Sequence, residues 1–155
     1  MKYSVTSQPN LNTSEILKAR NILVVEDDYD TAEAIKFSFE KGNTKNHQSH
    51  TCTVAHDAYE ALNFLSDNKF DLVLVDERLP GMNGSKVLDT MDTYIDTDPL
   101  ISESEMYFEK VPVVMMSGSK FAMTEKMSDL NHFDVKKVIQ KSQLPGFIST
   151  LTTAV

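Results

Sequence analysis

At 155 residues the chain suits one compact domain, and its 41% hydrophobic and 25% charged residues match an ordinary globular protein. A formal net charge of −8 leaves no basic footprint for phosphate backbones, which argues against direct nucleic-acid binding. The lone Cys52 excludes a disulfide framework, and no apolar run resembles a signal peptide or a membrane span, so a cytoplasmic, membrane-free protein is expected.

Residues 1–19 are polar and aperiodic and read as a flexible N-terminal arm, leaving 20–155 as the folded domain. From Asn21 onward, apolar runs alternate with helix-period segments. Ile22–Val25 is a β-branched run suited to a strand buried on both faces. Thr31–Glu40 reads as a helix that ends near Gly42, and Thr51–Ala55 as a second strand holding Cys52 as a small core residue. Asp57 caps a helix over Ala58–Leu65, Phe70–Val75 is the third strand, and Ser85–Tyr94 the next helix. Val111–Met116 is the fourth strand, Met123–Leu130 a helix, Val135–Gln140 the fifth strand, and Gly146–Thr152 the last helix.

Five strands alternating with five helices predict an α/β fold: a doubly wound, flavodoxin-like parallel sheet of order 2-1-3-4-5 with helices on both faces. Sites in such sheets lie beyond the C-terminal strand ends. Two connections, Lys41–His50 and Asp96–Lys110, are longer than the fold needs and read as surface insertions at the opposite end. His47, His50, His56 and His132 lack ligand spacing and are expected in surface or capping roles.

The first strand runs into Glu26-Asp27-Asp28 and the third into Asp76. Neighbouring strand tips would bring Glu26, Asp27 and Asp76 together. Two ionised carboxylates ~4 Å apart repel by roughly 4 kcal/mol at an effective dielectric near 20. A hard divalent cation removes that penalty, and Mg²⁺ favours a few carboxylates with water and phosphate oxygens. Ser117 ends the fourth strand and Lys141 follows the fifth, adding a hydroxyl and an ammonium to hold phosphoryl oxygens.

These segments carry a resemblance. Ile22-Leu23-Val24-Val25-Glu26-Asp27-Asp28, Phe70 to Asp76 with Glu77-Arg78-Leu79-Pro80-Gly81-Met82-Asn83-Gly84, and Val111 to Gly118 resemble the corresponding motifs of bacterial response-regulator receiver domains. The likeness runs from Asn21 to about Thr152, and the Asp76 segment is its most specific part. It implies a single-domain, phosphorylation-activated switch of a two-component system rather than an enzyme. Asp76 would accept the phosphoryl group from a sensor histidine kinase or a histidine phosphotransfer protein. Asp27, Asp76 and the backbone carbonyl of Arg78 would bind Mg²⁺, with Glu26 acting through water. Ser117 would be the switch hydroxyl and Lys141 the phosphate clamp. Arg78 and Ser119 occupy positions tied to phosphoryl lifetime, and Pro80 and Gly84 would shape the loop through fixed and permissive φ. With no room for an output domain after the last helix, a downstream protein target would be reached by direct contact.

The chain departs from the family at two positions. Val138 stands where an aromatic usually couples to the switch hydroxyl, and Ser142 where a proline usually follows the lysine across a cis bond. A cis bond before serine costs about 3 kcal/mol, so a trans bond or a shifted loop is expected. These departures motivate a pseudo-receiver alternative, an interaction module independent of phosphorylation. An aspartyl-nucleophile phosphatase is the enzyme alternative, but Glu77-Arg78 follows Asp76 where an Asp-x-Asp pattern would be needed. A nucleotide or flavin site would need a Gly-rich or Ser/Thr-rich loop in place of the acids after the first strand.

Overall fold

In the computed structural model, which describes residues 21–41, 50–118 and 129–153, five parallel strands form one sheet in the order β2-β1-β3-β4-β5. They are β1 (Asn21–Val25), β2 (Thr51–Ala55), β3 (Leu72–Asp76), β4 (Val111–Ser117) and β5 (Phe133–Gln140). The helices are α1 (Tyr29–Lys41), α2 (Ala58–Asp67), α3 (Gly84–Thr97), the single-turn α4 (Pro99–Ser102) and α5 (Leu144–Thr153), which follows a 3₁₀ turn at Lys141–Gln143. The fold is the flavodoxin-like one that the alternation predicts.

Strand alternation sorts the core into two layers. Leu23, Val25, Val73, Val75, Val113 and Met115 face one side, where α2 and α3 supply Ala61, Leu65, Leu88 and Met91. Ile22, Val24, Leu72, Leu74, Val114 and Met116 face the other, against Ile35 and Phe39 of α1 and Ile148 of α5. Each such aliphatic side chain, fully buried, stabilises by ~1.5–3 kcal/mol. The central strands β1 and β3 are therefore rigid rails, and the acids sit on their ends.

On β5 the period of two is broken on purpose. The register passes from Val113↔Val135 to Val114↔Lys137, so Lys136 is an extra residue. The bulge lets Val135 and Val138, three apart, pack on the same core layer, while Ile139 reaches the other.

Several expectations need correction. Strand β3 begins at Leu72 rather than Phe70 and includes Asp76, β5 begins two residues earlier than expected, and α1 and α3 extend further at both ends. The expected Met123–Leu130 helix lies outside the described residues except for Asp129 and Leu130, which are irregular. Residues 42–49 and Ser119 also lie outside them. His50, expected at the surface or in a cap, is buried, its ring edge-on to Phe39 at 6.0 Å, because it enters β2 beneath α1.

The Asp96–Lys110 connection is at the strand-entry end, as expected, but it is not merely a solvated insertion. Asp98 caps α4 by accepting from the Leu100 amide, and Ile101 is buried. The Tyr107 ring is buried edge-on to Phe133 at 5.7 Å, and its hydroxyl donates to the Leu65 carbonyl at 2.6 Å. Apolar anchors at Ile101 and Tyr107, invisible to periodicity, fold the segment back onto α2 and β5. No helix among the described residues is long and apolar enough to cross a membrane.

Candidate functional site

Register brings the expected residues to one pole. Val25 pairs with Ala55 and Val75, Asp76 with Met116, and Ser117 with Gln140, so Glu26, Asp76, Ser117 and Lys141 all fall at or just beyond the strand tips. Backbone bonds continue the sheet past its formal ends: Glu26 N–H donates to Ala55 O, and Glu77 N–H to Met116 O, both at 2.9 Å. Glu26 and Asp76 are buried, Ser117 is buried at the end of β4, and Asp27 is exposed.

Lys141 ties the acids together. Its Nζ lies 2.7 Å from Asp76 Oδ2 and 3.0 Å from each oxygen of Glu26. Only Glu26 Oε1 meets hydrogen-bonding geometry; Oε2 faces the ammonium as charge and is left without a hydrogen bond of its own. Burial pushes the Glu26 carboxyl above the usual range, and the Asp76 charge adds to this, while the Lys141 hydrogen bond partly opposes it. Burial works against the Lys141 charge, yet its bonds to Asp76 and Glu26 and their charges win and hold its pKa above the ordinary value. One ammonium thus shares two buried carboxylates.

The loop after β3 is built around Asp76. The Arg78 N–H donates to Asp76 Oδ1 at 3.1 Å, fixing the carboxylate plane from the side opposite Lys141. The Arg78 side chain is exposed. Gly84 N–H donates to Glu77 O at 2.9 Å, and Ser85 Oγ to Glu77 Oε1 at 2.7 Å, closing the loop onto α3. Here the expected role of Gly84 is corrected. The left-handed φ of +80° belongs to Gly81, whereas Gly84 is needed for close approach: a Cβ there would lie 2.3 Å from the Asp76 carbonyl oxygen. The peptide bond before Ser142 is trans.

Sequence reading missed three supporting features. Asp28, the third acid of the triplet, caps α1 by accepting from the Thr31 amide at 3.0 Å; that bond holds its carboxyl below the usual range. Buried Glu77 braces the loop through Ser85. His56 stacks on Tyr29 with ring centroids 3.7 Å apart, its Nδ1 3.2 Å from the Glu26 carbonyl oxygen. Asp28 carried a readable signal, since an acid three residues before a helical amide is a cap pattern. The other two depend on tertiary packing.

Carboxylate oxygens of Glu26, Asp27 and Asp76 lie within 4.8 Å of one another. Three hard oxygen donors, one of them a buried Glu26 oxygen without a hydrogen bond, fit a Mg²⁺ ion, which takes few protein carboxylates and keeps open positions.

The family model for the response regulator receiver domain matches residues 22–148. The chain belongs to this family. Receiver domains are phosphorylation-dependent signalling switches of two-component systems that bind Mg²⁺ at an acidic pocket. The fold is similar to that of the Thermotoga maritima response regulator TrrA, solved in complex with Mg²⁺ and BeF (18% identity, 85% of this chain and 98% of that one, TM-score 0.59). It is similar also to a CheY-like receiver domain from Methylobacillus flagellatus (18% identity, 85% and 98% covered, TM-score 0.57). A third similar structure is the Francisella response regulator 1452 receiver domain (21% identity, 86% and 96% covered, TM-score 0.53). No curated protein sequence matches the chain.

Proposed function

We propose that this receiver, spanning residues 20–155, takes a phosphoryl group onto Asp76 from the phosphohistidine of a sensor kinase or phosphotransfer protein. The exchange belongs in the cytoplasm, in keeping with a lone reduced thiol. An oxygen of Asp76 attacks phosphorus as the phosphorus–nitrogen bond breaks and its electron pair returns to the donor imidazole. Asp27, Asp76 and the Arg78 carbonyl would hold Mg²⁺, with Glu26 acting through water. The ion, when bound, supplies neutralisation of charge on the phosphoryl oxygens. Lys141, already poised on Asp76, shifts its bonds to a phosphoryl oxygen, and Ser117 donates to another. Phosphorylation then biases a two-state equilibrium through Ser117, and the signal leaves by contact with a downstream protein.

The observation that carries this reading is the 2.7 Å pairing of Lys141 with a buried Asp76 inside an acid cluster. The ammonium takes Asp76 Oδ2 while Asp76 Oδ1 accepts from the Arg78 backbone N–H. The test is intact mass after incubation with Mg²⁺ and a small acyl phosphate, for wild type and Asp76→Asn. A Mg²⁺-dependent gain of one phosphoryl group in wild type alone is expected. No gain in either protein would favour the pseudo-receiver, and steady hydrolysis of unrelated phosphate esters the phosphatase.

A further inference from the structure

The connection from α3 to β4 carries surface that neither the fold nor the phosphorylation pocket explains. Thirteen residues, 98–110, separate Thr97 from Val111, where such links usually take two to six. Ile101 and Tyr107 anchor this lobe from within, so it presents a fixed outer face. On this lobe Leu100 is 86% and Phe108 88% exposed, the highest values among the large hydrophobic side chains described. An isolated exposed leucine is ordinary. Two large apolar side chains held open on an anchored lobe are not, because leaving them in water forgoes the gain of burying them.

Their surroundings point to the occupant. Glu103, Glu105 and Glu109 are exposed on the same short lobe, with Lys110 the single cation between Asp96 and Val111. Phe108 lies in sequence between Met106 and Glu109, both of which line a cavity of about 350 Å³ at the entry ends of β3, β4 and β5. Phe70, Met106 and Pro112 give this cavity an apolar part, and its lysines and carboxylates balance three to three. Glu109 belongs to that balanced set, so the excess negative charge on the lobe is that of Glu103 and Glu105. It repels a second copy of this acidic chain and an anionic membrane alike, and it complements cations.

We propose that the 98–110 lobe is a docking surface for a basic, amphipathic segment of a partner protein. An apolar side chain of that segment seats against Leu100 or Phe108, and its cations meet Glu103 and Glu105. The surface lies at the pole opposite Asp76; β4 alone, from Val111 to Ser117, separates the two by roughly 20 Å. Docking here therefore needs no contact with the phosphorylation pocket. It tethers the partner while the other pole signals, and it holds even if Asp76 is never phosphorylated.

The probe is a 16-residue amphipathic Lys/Leu peptide, titrated into the ¹⁵N-labelled full chain and followed by amide chemical shifts. Saturable shifts confined to residues 98–112 and the adjoining cavity residues 69–71 and 134–136 are expected, with affinity at least tenfold weaker in Leu100→Ser/Phe108→Ser and in Glu103→Lys/Glu105→Lys. Both pairs are exposed, so melting temperatures should stay those of wild type. Asp76→Asn should bind as wild type does, which separates this surface from the phosphorylation reading. The proposal is overturned if a Lys/Ser peptide without leucine binds equally well, if shifts scatter over the whole surface, or if the double variants retain wild-type affinity. Concentration-dependent self-association abolished by Phe108→Ser would also overturn it, because the occupant would then be a second copy.

Discussion

Replacing Gly84 with alanine tests how tightly the phosphoacceptor loop is built. The new Cβ would sit 2.3 Å from the Asp76 carbonyl oxygen, 2.9 Å from Val75 Cγ2 and 3.1 Å from the Asp76 carbonyl carbon. Ordinary contact begins near 3.4 Å, so the start of α3 or the end of β3 must yield by about 1 Å. The obstruction is backbone and cannot rotate away. Forcing a methyl group into such a site costs roughly 1–3 kcal/mol, while alanine recovers at most ~1 kcal/mol of helix propensity over glycine. At mid-range sterics win by about 1 kcal/mol. For a domain of this size that is a fall in Tm of roughly 2–4 °C. Function should suffer more than stability, because a displacement of about 1 Å in a reacting group can cost ~100-fold in rate. Thermal denaturation by circular dichroism reads the first effect, and the rate of mass gain with an acyl phosphate reads the second. An unchanged Tm together with a phosphorylation rate within twofold of wild type would refute the close-packing argument.

Gly81→Ala is the matched control: nothing lies within 4 Å of its added Cβ, so only the left-handed φ is penalised, by about 1–2 kcal/mol. Urea denaturation should show that loss, and a stability equal to wild type would contradict the strain. Tyr107→Phe removes the donor to the Leu65 carbonyl and should cost about 1–2 kcal/mol in the same assay. Faster amide hydrogen exchange should be confined to the 98–110 lobe and the end of α2; uniform acceleration would mean that the hydroxyl is not a local anchor. Burial pushes the Cys52 thiol from 9.0 up to about 12, cutting its thiolate fraction at pH 8 about a thousandfold. A disulfide reagent should label Cys52 only at the rate of unfolding. Because the folded value is the raised one, the associated stability is complete below pH 9 and lost as pH rises toward 12. Cys52→Ala should flatten that part of the stability–pH curve; an identical slope would show that another group is responsible.

The sheet was legible because its signals are local. Uninterrupted apolar runs at Ile22–Val25 and Leu72–Val75 announce strands buried on both faces, and the acids directly after them need no long-range information. The joint position of Ser117 and Lys141 was readable only through the topology rule that gathers strand tips at one pole. What stayed hidden depends on contacts between distant segments. Tyr107 looks like any loop tyrosine until its partner at Leu65 is known, and His50 gives no sign that it packs under Phe39. Gly84 was expected to shape the loop through a permissive φ, whereas its place is set by close approach. One glycine in a string cannot tell a left-handed φ from a backbone passing 2.3 Å from where its Cβ would be.

The two departures from the family pattern have one structural answer each, one on β5 and one in the 3₁₀ turn that follows it. At the Lys141–Ser142 bond the chain stays trans and turns at once into the 3₁₀ segment Lys141–Gln143. The Gln140 N–H donates to Gln143 Oε1 at 3.1 Å, closing the turn that aims Lys141 back across the strand tips. That local bond does the orienting that a proline would otherwise supply, and Lys141 still reaches Glu26 and Asp76. Val138 is placed by the bulge at Lys136, which rotates it onto the layer holding Met115, its cross-strand partner. A valine wedged there has no large ring to swing between inside and outside. On the proposed reading, a signal from Ser117 would travel by backbone movement of the β4–β5 pair, which stays in register from Val114↔Lys137 to Ser117↔Gln140. Filling position 138 with tyrosine, which would restore a ring, distinguishes the two routes. If transmission runs through the backbone, Val138→Tyr should leave the phosphorylation-induced change in β4 and β5 amide shifts intact and should cost stability by overpacking. Loss of that change with phosphorylation preserved would show that the side chain at 138 is itself the relay.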